Sequence, residues 1–389
     1  MKPILANKCI TPVKSLYNLP DFRDGLTPLQ RDIVWAIRSE NTEKEYPYIK
    51  SWKIIERLGG QLEEMSDHWV WGKSAEIQDI LASMTQNYHT IAVLDGHGNF
   101  GSLYTDGNSA VPRFTAVKTS AFCQEAMLKY CNKKTVGISV ASRLQKTTPA
   151  VLLSRVPGSL LLGTQVSADG FTSRLPSHNL GEIILAMLAM IDNPKLQPEN
   201  LLKYIKGPDF VTGGVILNKR DLPAIYQTGQ GSLRIRGRYD VEVRDDNRTH
   251  IIIREIPITL SRQTKAFAQM LKHLSQIREI PEIDDVTHDS FCFNIDITLK
   301  NGADAQAVVQ KICQMTPFEQ TVDYQAILIA NNVPCRMSLH AILSEHLDFY
   351  RSALKVHFGD NYSDNVLRNE LMAIYRKYAT PRKTAIVDL

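Results

Sequence analysis

The stretch DGHGNFGSLYTDGNSAVPRFTAV, residues 95–117, decides how this chain is interpreted. It follows the apolar run TIAVLD, residues 90–95, which predicts a buried strand leading into a glycine-rich loop. After the loop come Arg113 and Phe114, a cation beside an aromatic ring. A guanidinium can stabilise negative charge that develops in a reaction, but a phenyl ring has no oxygen and cannot act as a nucleophile. The sequence thus places a cation that can stabilise developing negative charge beside a residue that cannot act as a nucleophile.

The composition is that of a folded protein with more than one domain. The chain has 389 residues, of which 43% are hydrophobic and 22% charged. A net charge of +4 is mild, so any surface that binds nucleic acid has to be local. Six scattered cysteines without a C-x-x-C pair disfavour zinc and indicate free thiols in a reducing cytoplasm. No apolar run approaches the roughly 18 residues of a membrane span, so a soluble cytoplasmic protein is expected.

Helical patterns surround the opening stretch. LTPLQRDIVWAIRSE, residues 26–40, predicts a helix with Thr27 as its N-cap and Pro28 in the first turn. SAEIQDILASMTQ predicts a second helix from Ser74, and FTAVKTSAFCQEAMLKYC, residues 114–131, returns to helical spacing. Helices, one short strand and a loop in this order favour a winged-helix-like unit over residues 1–150.

The pattern changes near residue 150. Short apolar runs such as AVLLSRV, GGVILNK and HIIIREIPITL alternate with helical patterns at 180–192, 263–276 and 303–315, which predicts an α/β domain over 151–335. SLRIRGR places Arg234, Arg236 and Arg238 on one strand face, either as a solvated edge or as a surface that faces phosphates.

The last segment, 336–389, is helical again. SLHAILSEHLDFYRSALKV and SDNVLRNELMAIYRKYA carry apolar residues near heptad spacing. HFGDNY, between them, is short enough for an antiparallel helical hairpin. Two helices of roughly 17 residues reach only about 25 Å. The predicted fold class is therefore α+β and multidomain, with a short helical arm at the end.

Taken in order, these motifs resemble the A chain of bacterial type IIA DNA topoisomerases, the family of gyrase A and topoisomerase IV ParC. DGHGNFGS is similar to D-G-Q-G-N-F-G-S, and AVPRFTAV is similar to A-A-M-R-Y-T-E. The other matching stretches are LPDFRDGLTPLQRDIVWAI, RLPSHNLGEII, YIKGPDF, AIYQTGQGSLRIRGR, IIIREIP and YRKYATPRKT. The collinear resemblance runs over about residues 20–384.

The resemblance implies a homodimer whose winged-helix and tower domains form a DNA gate. Phe114 occupies the position of the tyrosine that attacks a phosphodiester in active relatives, and Arg113 matches the adjacent arginine. Arg31 matches an arginine of the family's opening helix and is counted with the catalytic group. Mg²⁺ and ATP hydrolysis would come from a separate gyrase B/ParE-like subunit, so no metal or cofactor is expected in this chain.

The resemblance also implies contacts with double-stranded DNA. Lys50 and Lys53, in KSWK, match the basic residues of K-S-A-R, and Lys73 stands where the family has an acid. Leu175 matches an apolar wedge that intercalates between base steps and bends the duplex. The three arginines Arg234, Arg236 and Arg238 would contact the arms of the bent DNA.

Several departures surround the position of the nucleophile. Trp69 and Trp71 replace two family histidines, and Ala116 replaces a glutamate. Tyr104 is the nearest phenol in the sequence and would have to move far. Because the whole neighbourhood differs, a protein that binds and bends DNA but has naturally lost cleavage is favoured. An active gyrase A or ParC chain with an engineered Tyr-to-Phe change, and a decoy or modulator of a host gyrase or topoisomerase IV, remain alternatives.

Two further expectations concern the arm and the histidines. The family's long coiled coil ends in an exit gate, whereas the short arm here implies that the gate is absent and that the dimer rests on winged-helix contacts. His97 and His178 lie in matched loops and either touch DNA or a partner, or are solvated.

Overall fold

The computed structural model of the chain describes residues 18–40, 47–59, 70–85, 91–101, 109–136, 138–140, 147–244, 247–256, 270, 273–289 and 294–388. The structure is mixed α+β, as the sequence predicts. The α-helices are α1 (Pro28–Glu40), α2 (Ser51–Gly59), α3 (Val70–Thr85), α4 (Lys133–Val136), α5 (Gly158–Leu162), α6 (Leu180–Asp192), α7 (Leu222–Thr228), α8 (Leu274–Arg278), α9 (Ala305–Met315), α10 (Leu339–Phe358) and α11 (Asp364–Tyr378). The strands are β1 (Ile49–Lys50), β2 (Leu94–His97), β3 (Ala116–Thr119), β4 (Ile138–Val140), β5 (Thr147–Pro149), β6 (Thr164–Ala168), β7 (Phe171–Leu175), β8 (Val215–Ile216), β9 (Gln230–Arg236), β10 (Arg238–Val243), β11 (Thr249–Glu255), β12 (Ile283–Asp289), β13 (Asn294–Leu299), β14 (Glu319–Gln325), β15 (Ile327–Ala330), β16 (Val333–Arg336) and β17 (Ala385–Ile386).

The amino-terminal part packs helices α1 to α3 against a small antiparallel sheet with strand order β1-β3-β2. Helix α1 begins with a capping box, in which the Thr27 N–H donates to Gln30 Oε1 at 2.9 Å and the Gln30 N–H donates to Thr27 Oγ1 at 3.4 Å. Ile33 and Ile37 are buried on the inner face of α1, as their spacing predicts. The cap and the apolar stripe together explain why the helix forms here.

A six-stranded sheet, with strand order β17-β8-β9-β14-β7-β6, forms the centre of the molecule. The chain leaves this sheet at Gly237, after β9, and returns at Phe318, before β14; the Gly237 N–H donates to the Phe318 carbonyl at 2.9 Å. Residues between these points form a four-stranded sheet, β10-β11-β13-β12, with its own core that includes Ile253, Ile295 and Ile297. We call residues 238–318 the inserted module.

Helices α10 and α11 form the predicted antiparallel hairpin around a turn at Gly359–Asn361. They contain 20 and 15 residues, which corresponds to about 30 and 22 Å at 1.5 Å per residue. Their inner faces are buried in the main core, which also contains residues of α1 to α3. After α11 the chain returns to the six-stranded sheet, where β17 pairs with β8 in parallel. The main core contains residues from all three predicted domains, so it does not mark boundaries between them. The division into three domains therefore stays a prediction.

Several predicted elements differ from the structure. Helix α3 begins at Val70, four residues before the predicted cap at Ser74. Residues Ala116–Thr119, predicted as helix, form the central strand β3 because β1 and β2 pair with it on both sides. The apolar run at 150–156 contains no strand. Most of the helical pattern at 263–276 lies outside the described residues. None of the described helices is long and apolar enough to cross a bilayer.

Candidate functional site

Phe114 and Arg113 lie at the end of a tight turn that leads into β3. The Phe114 N–H donates to the Val111 carbonyl at 3.0 Å, and Pro112 occupies the second position of this four-residue turn, where its fixed φ is favourable. The turn holds both side chains at the surface, with 61% of Phe114 exposed. The guanidinium carbon of Arg113 lies 4.8 Å from the centroid of the Phe114 ring. The predicted pair is therefore assembled and accessible.

The junction of β1 and α2 supports the other side of this turn. Thr115, which follows Phe114, accepts a backbone hydrogen bond from Ser51 at 3.0 Å, and its hydroxyl donates to Ser51 Oγ at 2.8 Å. Both residues are buried, so this bond has little exposure to water. The first turn of α2 is thereby fixed beside the residues that precede β3.

The glycine-rich loop and α3 hold the approach to the turn. The Ala110 N–H donates to the Asn99 carbonyl at 2.8 Å, and Gln78 Nε2 of α3 donates to Ser109 Oγ at 2.9 Å and to the Ala110 carbonyl at 3.1 Å. At Gly98, where φ is +103°, a Cβ atom would lie 2.7 Å from the Phe114 carbonyl oxygen, so only glycine fits. Gln78 was missed by the sequence analysis; its signal is a polar residue within the buried stripe of α3.

Tyr48 lies at the open edge of the small sheet and is a second aromatic group that the sequence analysis missed. Its hydroxyl donates to Asp95 Oδ2 at 2.9 Å, and the ammonium of Lys118 lies 4.4 Å from its ring centroid. The hydrogen bond to Asp95 raises the pKa of Tyr48. His97 is exposed beside it, with the two ring centroids 5.5 Å apart.

Two of the three lysines predicted to contact DNA lie beside the junction of β1 and α2 that is bonded to Thr115. Lys50 is exposed and faces Ala116 across the β1–β3 pair, and Lys53 is exposed on the first turn of α2. The Lys53 ammonium lies 5.9 Å from the ring centroid of Trp52, which is itself 43% exposed. Lys73 lies in the first turn of α3. The DNA contacts of these lysines stay predictions.

Arg31 does not reach the Phe114 turn. It is buried, and its Nε donates to Asp24 Oδ2 at 2.6 Å while one Nη donates to Asp24 Oδ1 at 3.0 Å and to the Leu26 carbonyl at 2.9 Å. Burial alone would lower the pKa of Arg31, but the Asp24 carboxylate raises it above its usual range. The catalytic role predicted for Arg31 conflicts with this position, because every one of these bonds fixes the start of α1.

Leu175 ends β7 and has no exposed surface. A cavity of about 250 Å³ adjoins it, where the chain before Gln325 diverges from β7. A side chain that stacks between base steps has to be accessible to DNA. The wedge role predicted for Leu175 therefore does not fit this conformation.

The three arginines predicted on one strand face are divided between two sheets. Arg234 and Arg236 lie in β9, whereas Arg238 begins β10 in the inserted module. Arg234 pairs with Glu319 at 2.8 Å, and Arg238 pairs with Glu255 at 3.3 Å. These carboxylates offset the positive charge that a phosphate would encounter. The predicted common face is wrong, because the chain turns at Gly237.

Three of the quoted motifs meet at Asp209. Its carboxylate accepts from Asn179 Nδ2 at 3.0 Å, and from the backbone N–H groups of Lys383 at 3.0 Å and Thr384 at 2.9 Å. Asn179 also caps α6. His178, next to Asn179, is buried, and its Nε2 lies 2.9 Å from the Tyr226 hydroxyl. The prediction that His178 touches DNA or a partner, or is solvated, does not fit this position. These motifs position the chain end on the sheet.

Some predictions lie outside the described residues. Tyr104 and Trp69 are among them, and of Trp71 only its place in α3 is described. Within the described ranges, no group of three or more His, Cys, Asp and Glu side chains is arranged to hold a metal ion. The expectation that Mg²⁺ comes from a partner protein stays a prediction.

Comparison with known proteins agrees with the family that the motifs resemble. Residues 18–377 match the family model for the A chain of DNA gyrase/topoisomerase IV. The protein is 31% identical over 363 residues to the A chain of DNA topoisomerase 4 from Synechocystis sp., with 91% of this chain and 38% of that protein aligned. It is also 31% identical to the DNA gyrase A chain of Clostridium acetobutylicum, with 87% and 40% aligned.

A plant relative gives the same result. The chloroplastic/mitochondrial DNA gyrase A chain of Nicotiana benthamiana is 31% identical over 342 residues, with 87% of this chain and 36% of that protein aligned. The chain thus spans about two fifths of the length of these relatives. With a family match that covers most of its residues, the protein belongs to the family formed by the A chains of DNA gyrase and topoisomerase IV.

Proposed function

We propose that this protein of the gyrase A family binds and bends duplex DNA and does not cleave it. The observation that carries the proposal is the exposed Arg113–Phe114 pair at the end of the Val111–Phe114 turn. Arg113 can contact a phosphate, but cleavage also needs an oxygen that attacks phosphorus. Phe114 has none.

In this proposal the helices α1 to α3 and the sheet β1-β3-β2 act as a winged-helix DNA-binding unit, and the six-stranded sheet acts as the tower. Lys50, Lys53 and Arg113 would neutralise phosphates around the turn, which supports salt-sensitive binding with little sequence preference. Two copies would form the complete DNA-binding surface. A gyrase B/ParE-like subunit would supply Mg²⁺ and ATP hydrolysis if the chain takes part in a reaction.

A cleavage assay tests the loss of the nucleophile. The wild-type chain and Phe114→Tyr are each incubated with supercoiled DNA, a gyrase-type B subunit, Mg²⁺ and ATP, and covalent protein–DNA adducts are collected. We expect no adduct from the wild-type chain, and none from Phe114→Tyr because the surrounding site has also changed. An adduct with the wild-type chain would overturn the proposal. An adduct only with Phe114→Tyr would favour an active breakage-reunion protein that carries a replaced tyrosine.

Duplex binding is tested separately by fluorescence anisotropy over a range of salt concentrations. Lys53→Ala is expected to weaken duplex binding and to reduce the slope of log K against log salt by about 1, as for one lost phosphate contact. Arg351→Ala, in an exposed pair with Asp348 on α10, serves as the matched control and should leave the slope unchanged. A wild-type chain that binds no duplex at low salt contradicts the proposed function.

A further inference from the structure

Three exposed aromatic rings, each with a cation near its centroid, lie at the ends of the β1–β3 pair: one precedes β1, one follows β1 and one precedes β3. The rings belong to Tyr48, Trp52 and Phe114, and they are 41%, 43% and 61% exposed. Their cations lie 4.4, 5.9 and 4.8 Å from the respective ring centroids. We call this set the aromatic–cation surface; its cations are Lys118, Lys53 and Arg113. We infer that it binds single-stranded DNA by stacking unpaired bases on its exposed rings.

The backbone brings the two most exposed rings to one place. The hydrogen bond from Ser51 to Thr115 joins the residue before Trp52 to the residue after Phe114. Both side chains therefore leave the chain from adjacent positions of α2 and the turn.

The charge of the surface favours a nucleic acid as the occupant. With Lys50 of β1 added to the three cations of the surface, four positive charges stand against two acids, Asp95 and, one turn further along α2, Glu56. Asp95 already accepts a hydrogen bond from Tyr48 and pairs with Lys118 at 3.5 Å. A second copy of the chain related by a two-fold axis through this surface would bring like charges together, which is unfavourable. A polyanion with aromatic bases matches both the charge and the rings.

The exposed rings also favour single-stranded DNA over duplex DNA as the ligand. In a duplex the faces of the bases are stacked on one another, and a protein reaches mainly phosphates and base edges. In a single strand, successive bases can stack on aromatic side chains or on a planar guanidinium, with little dependence on sequence. Lysines and Arg113 explain phosphate contacts, but only unpaired bases give a binding role to the faces of Trp52 and Phe114.

This inference rests on the proposed function in one respect, that the ligand is DNA, and it adds the form of DNA that the site recognises. The experiment measures the binding of the full chain to a fluorescein-labelled oligothymidylate and to a duplex of equal length. The variants are Trp52→Ala and Phe114→Ala, with Trp52→Phe and Phe114→Tyr as conservative versions. Phe171→Ala is the matched control, since Phe171 is an exposed phenylalanine on β7, in a different sheet.

We expect each alanine variant to bind oligothymidylate about tenfold more weakly, as for one lost stacked base. The loss of duplex binding should be smaller, about threefold at most, because Lys50, Lys53 and Arg113 stay in place to contact phosphates. The conservative variants and Phe171→Ala should keep oligothymidylate binding within about twofold. Equal losses for both forms of DNA, or no loss for oligothymidylate, would overturn the inference. So would a change of oligomeric state in Phe114→Ala by sedimentation, because a second copy would then occupy the surface. A wild-type chain that binds duplex but not oligothymidylate contradicts this inference alone, and one that binds neither contradicts the proposed function.

Discussion

At the scale of single residues, the position of Phe114 separates binding from chemistry. The turn from Val111 exposes the ring, so a hydroxyl added there would point towards solvent and would not disturb the core. The Phe114→Tyr variant can therefore be examined without a folding defect. Any failure of that variant to form an adduct would then reflect the rest of the site.

The buried Arg31–Asp24 pair should contribute strongly to stability. In Asp24→Asn, Arg31 stays buried without its counter-charge, so we expect the free energy of unfolding to fall by about 3–5 kcal/mol. Urea unfolding followed by circular dichroism measures this change. Asp348→Asn removes a carboxylate from an exposed pair with Arg351 and should lower the free energy of unfolding by less than about 1 kcal/mol. Similar small values for both variants would show that Arg31 is not held by this pair.

Two buried histidines make stability depend on pH. Burial lowers the pKa of His346 to about 3 and that of His178 to about 4, whereas an unfolded histidine titrates near 6.5. The unfolded chain therefore binds more protons below about pH 6.5, so the free energy of unfolding should fall steadily from pH 6.5 to pH 4. The stability that the buried, neutral histidines contribute is fully present above pH 6.5.

His346→Leu tests this dependence, with urea unfolding measured at several pH values. Arg23 and Asp21 are the charged groups that face His346, and neither changes in the variant. Because a leucine binds no proton, the decline of stability between pH 6.5 and pH 4 should be shallower than in the wild-type chain. An unchanged slope would mean that His346 is not buried as a neutral ring.

At the scale of elements, the glycine-rich loop controls the position of the Phe114 turn. A side chain at Gly98 would collide with the Phe114 carbonyl, so Gly98→Ala should displace the turn and weaken DNA binding by about tenfold or more. Gly170→Ala is the matched control: φ there is +79°, but a Cβ atom meets nothing within 4 Å. Both variants are strained, and each should lose on the order of 1 kcal/mol or more of stability. Anisotropy with a labelled duplex should distinguish them; equal affinity would argue against a site at this turn.

Elements with a strong local signal could be predicted from the sequence. The capping box at Thr27 and the apolar stripes of α6, α10 and α11 identify helices because local chemistry and burial agree there. Val117 fits helical spacing, which predicts a helix over Ala116–Thr119. The strand that these residues form instead depends on pairing with β1 and β2, which are distant in the sequence.

The site could be predicted only in part for the same reason. Arg113 and Phe114 are neighbours in the sequence and can be identified from it. Tyr48 and Trp52 flank β1, and their positions relative to β3 depend on the register of β1 against β3, which no local pattern specifies. Arg31 has the expected residue type and spacing, but a nearby Asp24 gives it a structural partner. A single sequence does not show which distant strands pair, or which of several possible partners a charged residue binds.

At the scale of the whole molecule, the two separate cores indicate that the inserted module folds as a unit. Its ends meet at the bond between Gly237 and Phe318, and β9 and β14, on either side, are paired from Arg236 and Glu319 onwards. Replacing residues 238–317 with an Asn-Gly turn should leave β9 and β14 as a hairpin. We expect the shortened chain to keep duplex binding within about threefold, because the Phe114 turn leads into β3, which packs in the other core through Val117.

Circular dichroism and anisotropy on the shortened chain test this prediction. Some stability should be lost, since the Gly214 N–H donates to Glu255 of the module at 2.7 Å and the Thr212 hydroxyl donates to the Ile256 carbonyl at 2.6 Å. A folded chain without duplex binding would place DNA contacts in the module, for which Arg238 is the candidate. A chain that does not fold would mean that the two cores depend on each other.

The short parallel pair of β17 and β8 protects one margin of the six-stranded sheet. Residues 385–387 cover the backbone groups of Val215 and Ile216 on that side, where the Val387 N–H donates to the Ile216 carbonyl at 2.9 Å. If Asp209 lost its hydrogen bonds to Lys383 and Thr384, β17 would be free to leave the sheet. The backbone groups of Val215 and Ile216 would then be unpaired and would be available to bond an extended segment of another molecule. Loss of the Asp209 hydrogen bonds would thus expose a sheet edge through which copies of the chain self-associate while their helices are still folded.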